Sequence, residues 1–124
     1  MKHHAGKVIT ILSFILLFAA AAHAAAAAPA APEGLTVTIA GEKGFLLKWK
    51  ASAADPGTVT GYEIVRANVA SGPFKKVGKV KKGVFEYHDK AAKPEIIYFY
   101  KVRALAGKSY SDYSQPAAGE RPGK

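Results

Sequence analysis

Cysteine is absent from all 124 residues. Without it there is no disulfide framework, lipobox lipid anchor, thiolate metal site or redox dithiol, so whatever folds is held by its apolar core. Histidine is nearly as scarce where it could matter. Of four, His3, His4 and His23 lie close to the N-terminus, which leaves His88 alone in the rest of the chain. One histidine with no cysteine and no serine motif makes neither a catalytic triad nor a histidine-based metal site. No glycine-rich loop opens a helix, so no phosphate cradle is formed. Asp89 reads as a turn residue that binds local backbone, and Glu86 as an outward strand residue with no cleft around it. The expectation is therefore a non-enzyme with no catalytic residue, no cofactor and no metal. Acids are the last scarcity: nine Asp and Glu stand against eighteen Lys and Arg, a formal charge of +9.

What is present begins with a leader pattern. Lys2 and Lys7 flank the start of the apolar run Val8–Ala22, and Ala22-His23-Ala24 offers small residues at the −3 and −1 positions of a cleavage site. Residues 1–24 are expected to be a helical signal peptide, with cleavage after Ala24 or as late as Ala28. The protein is then periplasmic or secreted. The alternative is an uncleaved leader that anchors the chain, since the run approaches a membrane span once His23 and the alanines are counted. In both cases the remainder lies outside the cytoplasm. Without Lys2 and Lys7, sixteen cations remain against nine acids, a formal +7 that favours anionic surfaces of several kinds.

Residues 25–32 read as an Ala/Pro tether. From Glu33 the apolar residues alternate. Leu35, Val37 and Ile39 are set against Thr36 and Thr38, and Phe45, Leu47 and Trp49 against Lys48 and Lys50, two antiparallel strands around a Gly41–Gly44 turn. Asp55-Pro56-Gly57 marks a loop. Tyr62 and Ile64 then face in and Glu63 and Val65 out, with Arg66 on the inward phase at the strand end. Phe74–Val80 is a short basic strand in which Gly78 suits a bulge or an edge, and Val84–His88 follows. The densest pattern is Pro94–Leu105. There Tyr98, Tyr100, Val102 and Ala104 share one face, and Phe99, Lys101 and Arg103 the other. A strand with so apolar a face requires a sheet around it and a second layer beneath. The Pro/Gly-rich stretch Pro116–Lys124 is expected to fray, with residues 120–124 as a flexible tail. No helical periodicity follows the leader.

In this order and spacing the chain resembles a fibronectin type III domain over Pro32–Gly119. The resemblance rests on Pro32 and Leu35 opening the first strand, Trp49 in LLKW, and Gly61-Tyr62-Glu63-Ile64-Val65-Arg66. It continues through Gly72–Val77, Tyr87-His88-Asp89, Tyr98–Ala104 and the serine-rich Ser109–Ser114. It implies an all-β, seven-stranded, two-sheet immunoglobulin-like sandwich over residues 33–119. It assigns Tyr98 to a tyrosine corner, its hydroxyl bonded to backbone just upstream. Trp49 and Tyr62 are expected beside it as structural core residues. Two departures stand out: Ala92 where the family usually has Leu, and Glu95 where it usually has Gly. The corner before Tyr98 is thus expected to be underpacked or differently turned. No Arg-Gly-Asp tripeptide occurs, so integrin-type adhesion is not implied.

Function then rests on binding, and two surfaces qualify. The outward side of the Tyr98–Ala104 strand offers Phe99, Lys101 and Arg103, with Val65 on the neighbouring strand, to a protein partner in the envelope or outside the cell. The same residues also fit ordinary scattered exposure. The expected module works through the three-stranded sheet face or the loops, with Tyr110 and Tyr113 near the last loop as further candidates. The second surface is Lys75, Lys76, Lys79, Lys81 and Lys82. These lysines either guard an edge strand or form a footprint for anionic glycan or another anionic surface. Nucleic acid suits them less, because no stacking aromatics are interleaved. Membrane contact is expected only through an uncleaved leader.

Overall fold

The computed structural model describes residues 28–123. The expected leader, and the choice between cleavage and anchoring, lie outside them. Alternation of apolar and polar residues produces strands throughout: β1 (Glu33–Ile39), β2 (Phe45–Lys50), β3 (Gly61–Ala67), β4 (Lys75–Lys81), β5 (Glu86–Asp89), β6 (Ile97–Ala106), β7 (Ser109–Tyr110) and β8 (Ala117–Glu120). They form two antiparallel sheets. The smaller has the order β1-β2-β5, and the larger β4-β3-β6-β7, with β8 also paired to β6. The result is the expected all-β sandwich.

The inward residues of both sheets make one core. Phe45, Leu47, Trp49, Tyr62, Ile64, Tyr98, Tyr100, Val102 and Ala104 are all buried. Aromatic edges hold the layers together: Phe45 meets Tyr98 and Tyr100 edge-on at 6.3 and 6.1 Å, and Trp49 meets Tyr62 at 5.6 Å. Each such pair adds about 1 kcal/mol beyond area burial. The Lys93 N–H donates to Tyr98 Oη at 3.0 Å, the hydrogen bond expected of the corner. Ala92 is buried there, and Glu95 takes the left-handed conformation at φ 65°. The corner is therefore turned as a glycine would turn it, with a side chain on the strained residue.

Four expectations need correction. Among the described residues eight strands are present where seven were expected, because the last is split into β7 and β8. In the gap Ser111 and Ser114 substitute for ladder carbonyls. The Ala104 N–H donates to Ser111 Oγ at 2.8 Å and the Val102 N–H to Ser114 Oγ at 3.0 Å. The Pro/Gly-rich end does not fray at Ala117–Glu120, which is β8, paired with Ile97–Tyr100 of β6. Backbone pairing there needs no β-favouring side chains, and a Cβ on Gly119 would lie 2.7 Å from Val37 and 3.0 Å from the Phe45 ring. Nor do residues 120 and 121 belong to the expected 120–124 tail: Glu120 ends β8, while Arg121 Nη1 donates to the Gly44 carbonyl at 3.0 Å, and Nη2 to that of Glu42 at 2.7 Å. Finally, Pro29 and Pro32 of the expected tether are buried against the sandwich.

Candidate interaction face

The outer face of the larger sheet is set by register. Tyr62 and Ile64 of β3 are buried in the core, so Glu63 and Val65 point the other way. Residues directly opposite them share that face. Val65 lies between Lys76 of β4 and Lys101 of β6, Glu63 between Lys79 and Arg103, and Gly61 between Lys81 and Leu105. The lysine strand and the outward side of β6 are thus one surface, on the larger sheet rather than the three-stranded one.

A bulge makes this alignment possible. Ile64 opposes Gly78 but Val65 opposes Lys76, leaving Val77 without a partner in β3. Lys76 and Lys79, three apart, would face opposite sides of a regular strand; the extra residue returns them to the same side. Tyr87, on β5 of the smaller sheet, holds the bulge by donating its hydroxyl to the Val77 carbonyl at 2.8 Å. Its ring lies where a Cβ on Gly78 would stand, which is why this position is glycine. Burial first, then the nearby Asp89 charge, raises the Tyr87 hydroxyl pKa.

The expected partner-binding residues separate on this face. Val65 has the outward phase but is only 4% exposed. Long neighbours cover it, so it supports the surface instead of offering itself. Phe99 is half-buried, beside Ala67 and Ala118. Ile97, which sequence reasoning passed over, is 45% exposed on the same side of β6. The Lys101 ammonium sits 4.4 Å from the centroid of the Phe74 ring, next to the start of β4. Arg103 is held more firmly: Nη2 meets Glu63 Oε2 at 2.9 Å, and the guanidinium lies 3.9 and 4.9 Å from the Tyr110 and Tyr113 rings. Both tyrosines contribute to the face. Burial raises the Tyr113 hydroxyl pKa, with Arg103 opposing and Glu63 reinforcing the shift.

Lys75, Lys76, Lys79, Lys81 and Lys82 are all exposed. Lys76, Lys79 and Lys81 share the outer face, Lys75 opposes inward-phase Arg66, and Lys82 follows the strand. Among the described residues none of the five is in an ion pair; the two pairs found are Arg103–Glu63 and Arg66–Asp89.

That second pair belongs to a buried cluster that sequence reasoning missed. Asp89 Oδ1 accepts from the Ala91 N–H at 3.1 Å, the expected turn bond. Its Oδ2 also accepts from Arg66 Nη1 at 2.8 Å and from the Tyr100 hydroxyl at 2.6 Å. Burial drives the Tyr100 pKa strongly upward, and the hydrogen bond to Asp89 adds to it. Burial works against the charge on Arg66, but Asp89 outweighs it and the net shift is upward. Arg66 also lies 4.8 Å from the Tyr98 ring centroid, so the cluster braces the corner. His88 Nε2 donates to the Lys43 carbonyl at 3.0 Å, a structural use of this histidine. Trp49 is 4% exposed, and among the described residues its indole N–H meets no acceptor. No group of three or more metal-ligating side chains occurs among the described residues.

Residues 30–120 match the family model of the fibronectin type III domain. No curated protein matches the chain. Among solved structures it is similar to a Fn3-like protein from Clostridium thermocellum, at 23% identity and TM-score 0.66, over 79% of this chain and 98% of that one. It is similar to the sixth fibronectin type III domain of human fibronectin type III domain containing protein 3, at 18% identity and TM-score 0.66, over 80% and 91%. The kinase region of twitchin from C. elegans aligns at 21% identity and TM-score 0.70, over 79% of this chain and 17% of that one. At these identities the structural likeness shows the fold.

Proposed function

Given that the chain belongs to the fibronectin type III domain family, we propose that it is an exported, non-catalytic module that assembles with a protein partner in the cell envelope or outside the cell. Domains of this family are commonly non-catalytic modules of protein–protein interaction. The leader pattern of residues 1–24 supports export. The observation that carries the reading is the outward side of β6, where exposed Ile97 and half-buried Phe99 adjoin Lys101 and Arg103. Arg103 is already fixed by Glu63, Tyr110 and Tyr113, so a partner meets an ordered cation and little rotamer freedom is lost on binding. An apolar anchor with charged neighbours is the composition of an interface centre and its rim.

The test is cross-linking and co-purification of the tagged protein from its native host, with fractionation. The expected result is a discrete complex in the exported fraction that is lost in a folded Ile97→Ser/Phe99→Ser variant. Recovery in the cytoplasm, or only as free monomer, overturns the reading.

A further inference from the structure

We propose that the bulged strand β4 is a binding track for a linear acidic polysaccharide, whose carboxylates or sulfates meet Lys76, Lys79 and Lys81, with Lys101 as a fourth charge. The inference stands on the lysine geometry and does not require the protein partner above.

The bulge at Val77 places three ammonium-bearing residues on one face, opposite Val65, Glu63 and Gly61 in turn. Same-face positions on a strand recur about every 6.6–6.8 Å, and the three stand opposite every second residue of β3, so they make one row at about that spacing. Across Val65 stands Lys101, its ammonium over the ring of Phe74 and so leaning towards β4. Glu63, the one carboxylate among these three rows, is neutralised by Arg103. The surplus of positive charge on this strip is therefore uncompensated among the described residues.

Edge protection does not account for the arrangement. The bulge and its Tyr87 bond already spoil the β4 ladder. The edge strands of the smaller sheet, β1 and β5, carry no lysine within Glu33–Ile39 or Glu86–Asp89. The chemistry of the row favours a polysaccharide over nucleic acid. It presents point charges without a guanidinium fork for phosphate. The nearby aromatics are already engaged, Phe74 by Lys101 and Tyr110 and Tyr113 by Arg103, where unpaired bases would need open rings for stacking.

The experiment measures binding of the purified protein to polygalacturonate, heparin, oligo-dT and poly-glutamate across a salt series, using two variants of equal charge. Lys76→Gln/Lys79→Gln removes two members of the row, and Lys75→Gln/Lys82→Gln removes two lysines beside it. The expected result is polysaccharide binding that falls by about an order of magnitude between about 50 and 200 mM salt. It should weaken about tenfold in the first variant and less than about twofold in the second. Equal loss in both variants reduces the effect to net charge and overturns the track. Oligo-dT or poly-glutamate binding as tightly as either polysaccharide overturns the choice of ligand. No binding at low salt returns the lysines to edge protection.

Discussion

Arg66 of the larger sheet and Asp89 of the smaller sheet meet at 2.8 Å, an ion pair that ties the two layers together at one end of the sandwich. Asp89 is 3% exposed and also accepts the Tyr100 hydroxyl and the Ala91 N–H, so removing it strands three donors at once. Asp89→Ala is expected to destabilise the fold by about 3 kcal/mol. In an Arg66→Met background the same change should cost distinctly less, because one stranded donor is already gone. Urea unfolding of the four proteins of the cycle measures that coupling; additive costs would show that the pair contributes nothing of its own.

Stability should fall at alkaline pH, and Tyr100 should account for part of the slope. Its folded pKa is raised by burial and by Asp89; those of Tyr62, Tyr87 and Tyr113 are raised as well. Below about pH 10 both folded and unfolded chains hold these protons and the tyrosines add no pH dependence. Above it the unfolded chain releases the Tyr100 proton while the folded one keeps it, so stability declines by about 1.4 kcal/mol per pH unit for that retained proton; the other raised tyrosines act in the same direction. Tyr100→Phe should lower the slope by one proton. Denaturant midpoints between pH 9 and 11 read it directly, and an unchanged slope would exclude Tyr100.

Glu95 holds a backbone conformation at φ 65° that costs a residue with a Cβ about 1 kcal/mol or more. Glu95→Gly should therefore raise stability by about 1 kcal/mol, a gain that Glu95→Ala does not reproduce. Thermal melts of the three proteins decide it, and equal gains from Gly and Ala would place the effect in the carboxylate.

Gly78 leaves room for the Tyr87 ring. Gly78→Ala should destabilise by about 1–3 kcal/mol through overpacking. Tyr87→Ala is also costly, since it frees the Val77 carbonyl and opens a void. In the Tyr87→Ala background, however, the Gly78→Ala cost should nearly vanish. Chemical denaturation of single and double variants tests this, and an undiminished cost would place the clash elsewhere.

The alternation of residues 35–104 made the layers and the core legible in the sequence, because strand burial follows a local period of two; the tyrosine corner was legible only through the family resemblance. What escaped depends on pairing between distant segments. The turn bond from Asp89 to Ala91 is local and readable; its bonds to Arg66 and Tyr100 join residues 23 and 11 positions apart. Val65 has the outward phase, but its cover comes from side chains on other strands. Gly78 hinted at a bulge, yet only the register shows that the bulge brings Lys76 and Lys79 onto one face. β8 carries no β-favouring residues and exists because β6 presents an open edge to it.

Arg121 has a kinetic consequence. Its guanidinium binds the carbonyl of Gly41, 80 positions earlier in the chain, so the turn between the first two strands is secured by a residue synthesised long after it. A fold closed by contacts of such long sequence separation gathers slowly. Until residue 121 has emerged, the first hairpin lacks its lock and β6 lacks its final neighbour. A chain that stops before Ala117 is then not a slightly shorter protein but one held at an incomplete folding stage, with the β6 edge that β8 covers exposed to aggregation.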